Sequence, residues 1–107
     1  MTVLRVCYKH GVRFDEAYYK SKHLPLVAGF MSPFGVKGVE MVKVSATADG
    51  SKPPYQVIFS AYFESAAGLQ NAMQSPRLSE VIGDLQNFYD GMPEILIGEV
   101  VALPGVA

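Results

Sequence analysis

From Thr2 to Tyr8 the chain is a β-rich, mostly apolar run, Thr-Val-Leu-Arg-Val-Cys-Tyr. This pattern predicts a first strand with Val3, Arg5 and Cys7 on one face and Leu4, Val6 and Tyr8 on the other. After a turn at residues 10–13 the period changes. Phe14 begins a predicted helix, with Asp15 and Glu16 where the helix macrodipole favours acids. At about 100° per residue, Phe14, Ala17, Tyr18, Ser21 and Ala28 share one side, read as the core face. Asp15, Tyr19, Lys22, His23 and Leu26 share another. A helix on a single core is wet on its second face. This second face carries an aromatic ring, an imidazole and a leucine among its charges, so it is assigned to a pocket or a partner. Pro25 has no N–H and clashes with the preceding turn, so the helix is expected to end or kink there. Residues 26–35 are then a connection.

Residues 36–47 predict a second strand, and Ala48-Asp49-Gly50-Ser51-Lys52-Pro53-Pro54 an exposed loop. Residues 55–63 predict a third strand. Tyr55, Val57, Phe59, Ala61 and Phe63 lie on one of its faces; Gln56, Ile58, Ser60 and Tyr62 lie on the other. Ser65 is placed as N-cap of a helix through Gln74. Ser75-Pro76 repeats the signal, opening a helix with Leu78, Val81, Ile82 and Leu85 as its core face and an end near Tyr89. Residues 94–103 predict a last, aliphatic strand. The order β-α-β-β-α-β predicts an α+β, ferredoxin-like fold: a four-stranded antiparallel sheet with helices on one face. Strands 3 and 4 are apolar on both faces, and helices cover only one. A second copy is expected to cover the other, two sheets closing into a dimeric α+β barrel.

Length and composition sharpen this picture. With 107 residues there is room for one domain, residues 1–107. Half the residues are hydrophobic and 18% charged, so some apolar surface is expected to meet a partner subunit or a ligand. A net charge of -1 without a basic run leaves no footprint for nucleic acid. No stretch approaches the ~20 apolar residues of a membrane-spanning helix. A strand starting at Thr2 leaves no room for a signal peptide, and the single Cys7 fits a reducing compartment, so a cytoplasmic location is expected. Two histidines and one cysteine at unrelated spacings make no metal motif. There is no glycine-rich phosphate loop and no dinucleotide fingerprint, so no cofactor is expected.

The spacing Phe14-Asp15-x-x-Tyr18-Tyr19-x-x-x-His23-x-Pro25-Leu26, after a first strand and before β-β-α-β, resembles the EthD family of the dimeric α+β barrel superfamily. Ile82, Asp84, Phe88 and Asp90, ahead of a final aliphatic strand, are also similar. The resemblance covers nearly the whole chain and implies the homodimeric barrel. The family is named after a protein associated with bacterial degradation of ethyl tert-butyl ether. Its relatives include pathway accessory proteins and proteins of natural-product biosynthesis, so the resemblance carries fold further than chemistry.

His23 leads the chemical candidates, because an imidazole gives or takes a proton near neutral pH. The alternative reading is a histidine hydrogen-bonded in a core or an interface. Tyr19, one turn earlier, offers a ring and a hydroxyl to the same ligand, or packs in an interface. Asp15 orients or charges a pocket, or simply meets the helix dipole. Tyr62, Phe88, Tyr89 and Met92 are candidates for a pocket floor, with core packing as the alternative for each. Two function classes remain open. One is a cofactor-independent enzyme of oxidoreductase or lyase/isomerase type, holding a small, mostly apolar organic molecule between sheet and helix 1, with His23 as acid/base. The other is a non-catalytic binding or accessory protein with the same pocket. Haem binding is a distant third.

Overall fold

A computed structural model describes residues 1–102 of the chain. Strands β1 (Thr2–Lys9), β2 (Val36–Lys43), β3 (Tyr55–Phe63) and β4 (Glu94–Glu99) make one antiparallel sheet in the order β2-β3-β1-β4. This is the expected ferredoxin-like α+β topology. Register puts Leu4 between Ala61 and Ile97, and Val6 between Phe59 and Ile95. The Leu4-Val6-Tyr8 face of β1 and the Val57-Phe59-Ala61-Phe63 face of β3 therefore share one side, which the helices cover. β2 ends at Lys43, short of the expected Thr47. β4 ends at Glu99, and the Leu103 end of the predicted strand lies outside the described residues. The loop after β2 is exposed but pinned: the Asp49 carboxylate accepts from Thr47 Oγ1 (2.8 Å) and from the Ser51 N–H (3.0 Å).

The first helix departs most from the sequence expectation. Phe14 precedes it, in an isolated bridge with Tyr89, and Asp15 is its N-cap. The helix runs as α1 (Glu16–Tyr18), a π-helical turn (Tyr19–His23) and α2 (Leu24–Met31), followed by a 3-10 turn (Ser32–Phe34). Pro25 does not end it. The Leu24 N–H reaches back five residues to the Tyr19 carbonyl, and Pro25 then falls in the opening turn of α2. There its missing N–H costs no bond and its fixed φ suits the helix. With α2 included, the buried stripe is Tyr19, His23, Val27, Phe30 and Met31. Ala17, Ser21 and Ala28 of the expected core face are exposed, whereas Phe14 and Tyr18 are half-buried against the core, so the buried stripe is shifted to take in Tyr19 and His23. Gly35, with φ of +76°, closes this segment in the left-handed conformation that glycine takes most readily.

Ser65 caps α3 (Ala66–Met73), its Oγ accepting from the Gly68 N–H at 3.3 Å. A Cβ at Gly68 would collide with the Phe34 carbonyl oxygen, so this glycine sets how closely α3 approaches the end of the first helix. α4 (Leu78–Asp84) starts later than the Ser75-Pro76 signal implies, after a turn in which Ser75 Oγ accepts from the Arg77 N–H. A 3-10 turn (Leu85–Asn87) leads to Phe88 and Tyr89, both buried. β4 is exposed along its whole length.

Candidate functional site

Between the first helix, α4 and the sheet lies a cavity of about 210 Å³. The sheet contributes Leu4, Val6, Tyr8, Phe59 and Ile95; the first helix contributes Tyr19, His23, Val27, Phe30 and Met31. Leu78, Val81, Ile82 and Leu85 of the α4 segment complete the walls with Met73, Met92 and Pro93. Its polar lining residues are His23, Tyr8 and Tyr19. Ile82, Met92 and Ile95 are 57%, 71% and 57% exposed, which places the mouth between α4 and the β4 edge.

The π-helical turn presents Tyr19 and His23 together, their rings stacked at 5.4 Å and 28°. Such turns often occur at functional sites, because the extra residue re-aims side chains. His23 is 4% exposed and packs on Phe88, with ring centres 4.4 Å apart. Its Nδ1 lies 2.9 Å from Asp84 Oδ2. Asp84 Oδ1 accepts from the Tyr18 hydroxyl (2.6 Å) and from Asn87 Nδ2 (3.0 Å). His23 Nε2 has no hydrogen-bond partner among the described residues, yet no side-chain nitrogen or oxygen there is both sealed from solvent and unpaired. Nε2 therefore reaches open space, and the cavity is the space that His23 lines.

Burial pushes the His23 imidazole below its ordinary value of 6.5, and the Asp84 carboxylate only partly opposes this. The shift favours the neutral ring at pH 7. Burial alone would raise Asp84; the hydrogen bonds from Tyr18, Asn87 and His23 outweigh it and hold the carboxyl below its ordinary value of 3.8. Burial, reinforced by the neighbouring Tyr8 hydroxyl, drives the Tyr19 phenol far up, so it stays protonated. Among the described residues there is no group of three or more His, Cys, Asp or Glu side chains able to hold a metal ion, and no helix long and apolar enough to cross a membrane.

Residues 12–92 match the EthD domain. The chain belongs to the EthD family. An uncharacterized 11.0 kDa protein from the thcB–thcC intergenic region of Rhodococcus erythropolis is 37% identical over 78 residues, 73% of this chain and 71% of that protein. The crystal structure of an EthD-like protein from Ralstonia eutropha superposes with a TM-score of 0.82 at 29% identity, over 94% of this chain and 92% of that one. The fold extends to SnoaB of Streptomyces nogalater, a cofactor-independent oxygenase, with a TM-score of 0.68 at 14% identity over 95% and 93% of the two chains.

Of the residues singled out from the EthD motif and its surroundings, the cavity gathers His23, Tyr19 and Met92. Phe88 is not in the lining. It is 0% exposed and forms the backing on which the imidazole rests. Tyr89 is buried, and its hydroxyl accepts from the Lys9 N–H (3.0 Å), a structural contact outside the cavity. Asp15 is exposed and caps the helix by accepting from the Tyr18 N–H (3.0 Å), so it does not reach the cavity. Tyr62 pairs with Val3 and Gly38 on the sheet face turned away from the helices. Asp84, Tyr18 and Asn87 were not among the expected site residues. Asp84 appeared only as part of the family pattern, and Tyr18 was assigned to the core. Sixty-one positions separate Asp84 from His23, and no local spacing connects them.

Proposed function

We propose that this EthD protein binds a small, neutral, mostly apolar organic molecule in the helix–sheet cavity, where His23 moves a proton on it and Tyr19 orients it. The observation that carries this reading is the imidazole with an unpaired Nε2 on a mostly apolar wall of aliphatic and aromatic side chains. About 210 Å³ is room for one ring with short substituents, given that a cavity of about 150 Å³ accepts benzene. No lysine, arginine or carboxylate lines the cavity, so a charged ligand would lose its hydration without compensation. The fold shared with a cofactor-independent oxygenase is compatible with chemistry run by side chains alone. The working unit in this proposal is a homodimer that covers the helix-free sheet face, where Val42 and Leu96 are exposed beside Ile58 and Tyr62. Light scattering at micromolar concentration should then report about twice 11.6 kDa, and a clean monomer would remove the dimer from the reading.

Cyclohexanone tests the site: it is neutral, has a single ring, and its α-hydrogens exchange slowly in D2O. Wild-type protein should bind it, shifting cavity methyl resonances, and should accelerate the exchange. His23→Asn keeps a donor toward Asp84 and removes the free ring nitrogen, so it should retain binding and lose about 10²–10⁴-fold in exchange rate. Binding without accelerated exchange would favour the non-catalytic binding protein. Absence of binding for cyclohexanone and benzene alike would sink the cavity reading.

A further inference from the structure

We infer that Asp84 is a positioning residue that, clamped by Tyr18 and Asn87, locks His23 as the Nδ1–H tautomer, so that the ligand must offer a hydrogen-bond donor or an acidic hydrogen to Nε2. The inference rests on the proposed role of His23 and adds the direction of its proton transfer. An ionised carboxylate only accepts hydrogen bonds. Asp84 Oδ1 already takes two donors, the Tyr18 hydroxyl at 2.6 Å and Asn87 Nδ2 at 3.0 Å. Asn87 Nδ2 also lies 3.3 Å from the Tyr18 oxygen, closing a ring of three polar groups. This ring fixes the carboxyl plane, and Oδ2 then stands 2.9 Å from His23 Nδ1. A neutral imidazole bonded to it must carry its proton on Nδ1, leaving a lone pair on Nε2.

The clamp crosses between elements. Tyr18 and His23 come from the first helix, Asp84 from the end of α4, and Asn87 from the following 3-10 turn. Of the ionisable groups against the imidazole, α4 supplies Asp84 and its own helix supplies Tyr19, with Tyr8 of β1 beyond Tyr19. The hydrogen bond to Asp84 pushes the Tyr18 phenol up, so Tyr18 remains a donor throughout the neutral range. The cavity thus presents Nε2 as an acceptor that carries no proton, on a wall whose other polar residues are Tyr8 and Tyr19. A small phenol, alcohol or enolisable ketone satisfies it, whereas a ligand offering only acceptors, such as a simple ether, does not.

Nitrogen-15 NMR of the His23 ring in the free, folded protein tests the tautomer without any ligand. Wild type should show a protonated Nδ1 and an unprotonated Nε2 at pH 7.5. In Asp84→Asn, Tyr18 and Asn87 still require an acceptor at the Oδ1 position. The new NH2 group must then face Nδ1, and the tautomer should invert to Nε2–H. Tyr18→Phe leaves the carboxylate in place and should keep the wild-type tautomer. Cyclohexanone exchange should fall about 10²-fold or more in Asp84→Asn, with binding kept. A wild-type ring protonated on Nε2, or a folded Asp84→Asn protein with an unchanged tautomer, would overturn the inference. If Asp84→Asn does not fold, the wild-type spectrum alone decides. The expected tautomers without accelerated exchange would instead remove the catalytic role of His23 and leave the clamp standing.

Discussion

Around Phe88 the helix–sheet interface is aromatic and closed; around Met92 it is aliphatic and open. Phe88 has ring centres within 4.4 to 6.3 Å of His23, Tyr19, Phe14, Tyr8 and Tyr18. Planar rings in edge-to-face contact leave little freedom, so this end holds the imidazole in one orientation. At the other end Ile82, Met92 and Ile95 line the cavity and are more than half exposed. Met92 is unbranched and flexible, and the two isoleucines are packed on one side only, so this end can part for a ligand at small cost. The polar machinery sits on the rigid side, and entry is left to the soft side.

Breaking the aromatic end should have the largest effect. Phe88→Ala removes a fully buried ring and should cost about 3–5 kcal/mol in urea unfolding, with His23 losing its backing. A loss below about 1 kcal/mol would mean that this wall is not the rigid half. Filling the cavity should matter less for folding. Val81→Phe adds volume where space exists, so stability should stay within about 1 kcal/mol of wild type while cyclohexanone binding disappears.

Acidification probes the same divide. The folded His23 value lies below that of the unfolded chain, so below about pH 6.5 the unfolded chain binds a proton that the folded protein refuses. Stability should therefore fall as pH drops from 6.5 through the folded value, with a slope of at most one proton, and His23→Asn should remove that component. The smallest effect is expected at the rim. Ile82→Ala, at an exposed position, should shift stability by no more than about 0.5 kcal/mol, yet speed ligand release measured by NMR line shape. A large loss of stability there would erase the contrast between the two ends.

Much of the scaffold was legible in the chain. β1 and β3 announce themselves by short runs rich in β-branched and aromatic residues, and Ser65 marks the start of α3 at the position where it caps. The first helix was misread for one physical reason. Cutting it at Pro25 discarded Val27, Phe30 and Met31, the residues that identify its buried stripe, and left Phe14 to set a phase although it lies outside the helix. His23 was legible as a candidate because an imidazole on an ambiguous face is conspicuous. Its anchor was not, because Asp84 reads locally as an ordinary acid on a surface helix. Only the packing of α4 against the first helix brings the carboxylate to the ring.

The wide turn at Tyr19–His23 has a consequence for anyone who would engineer the protein. It acts as a phase offset in the helix, one residue more than the regular repeat, with the exposed Lys22 inside it. Deleting Lys22 while changing Pro25→Ala would restore an uninterrupted α-helix of better intrinsic propensity. It would also bring Tyr19 and His23 to an i,i+3 spacing, about 60° apart on one face, and so change the ring stacking that the wide turn sets. A selection for thermal tolerance alone would therefore favour smoothing this helix, and the smoothed protein would keep its shape while presenting the two rings to the cavity in a different arrangement.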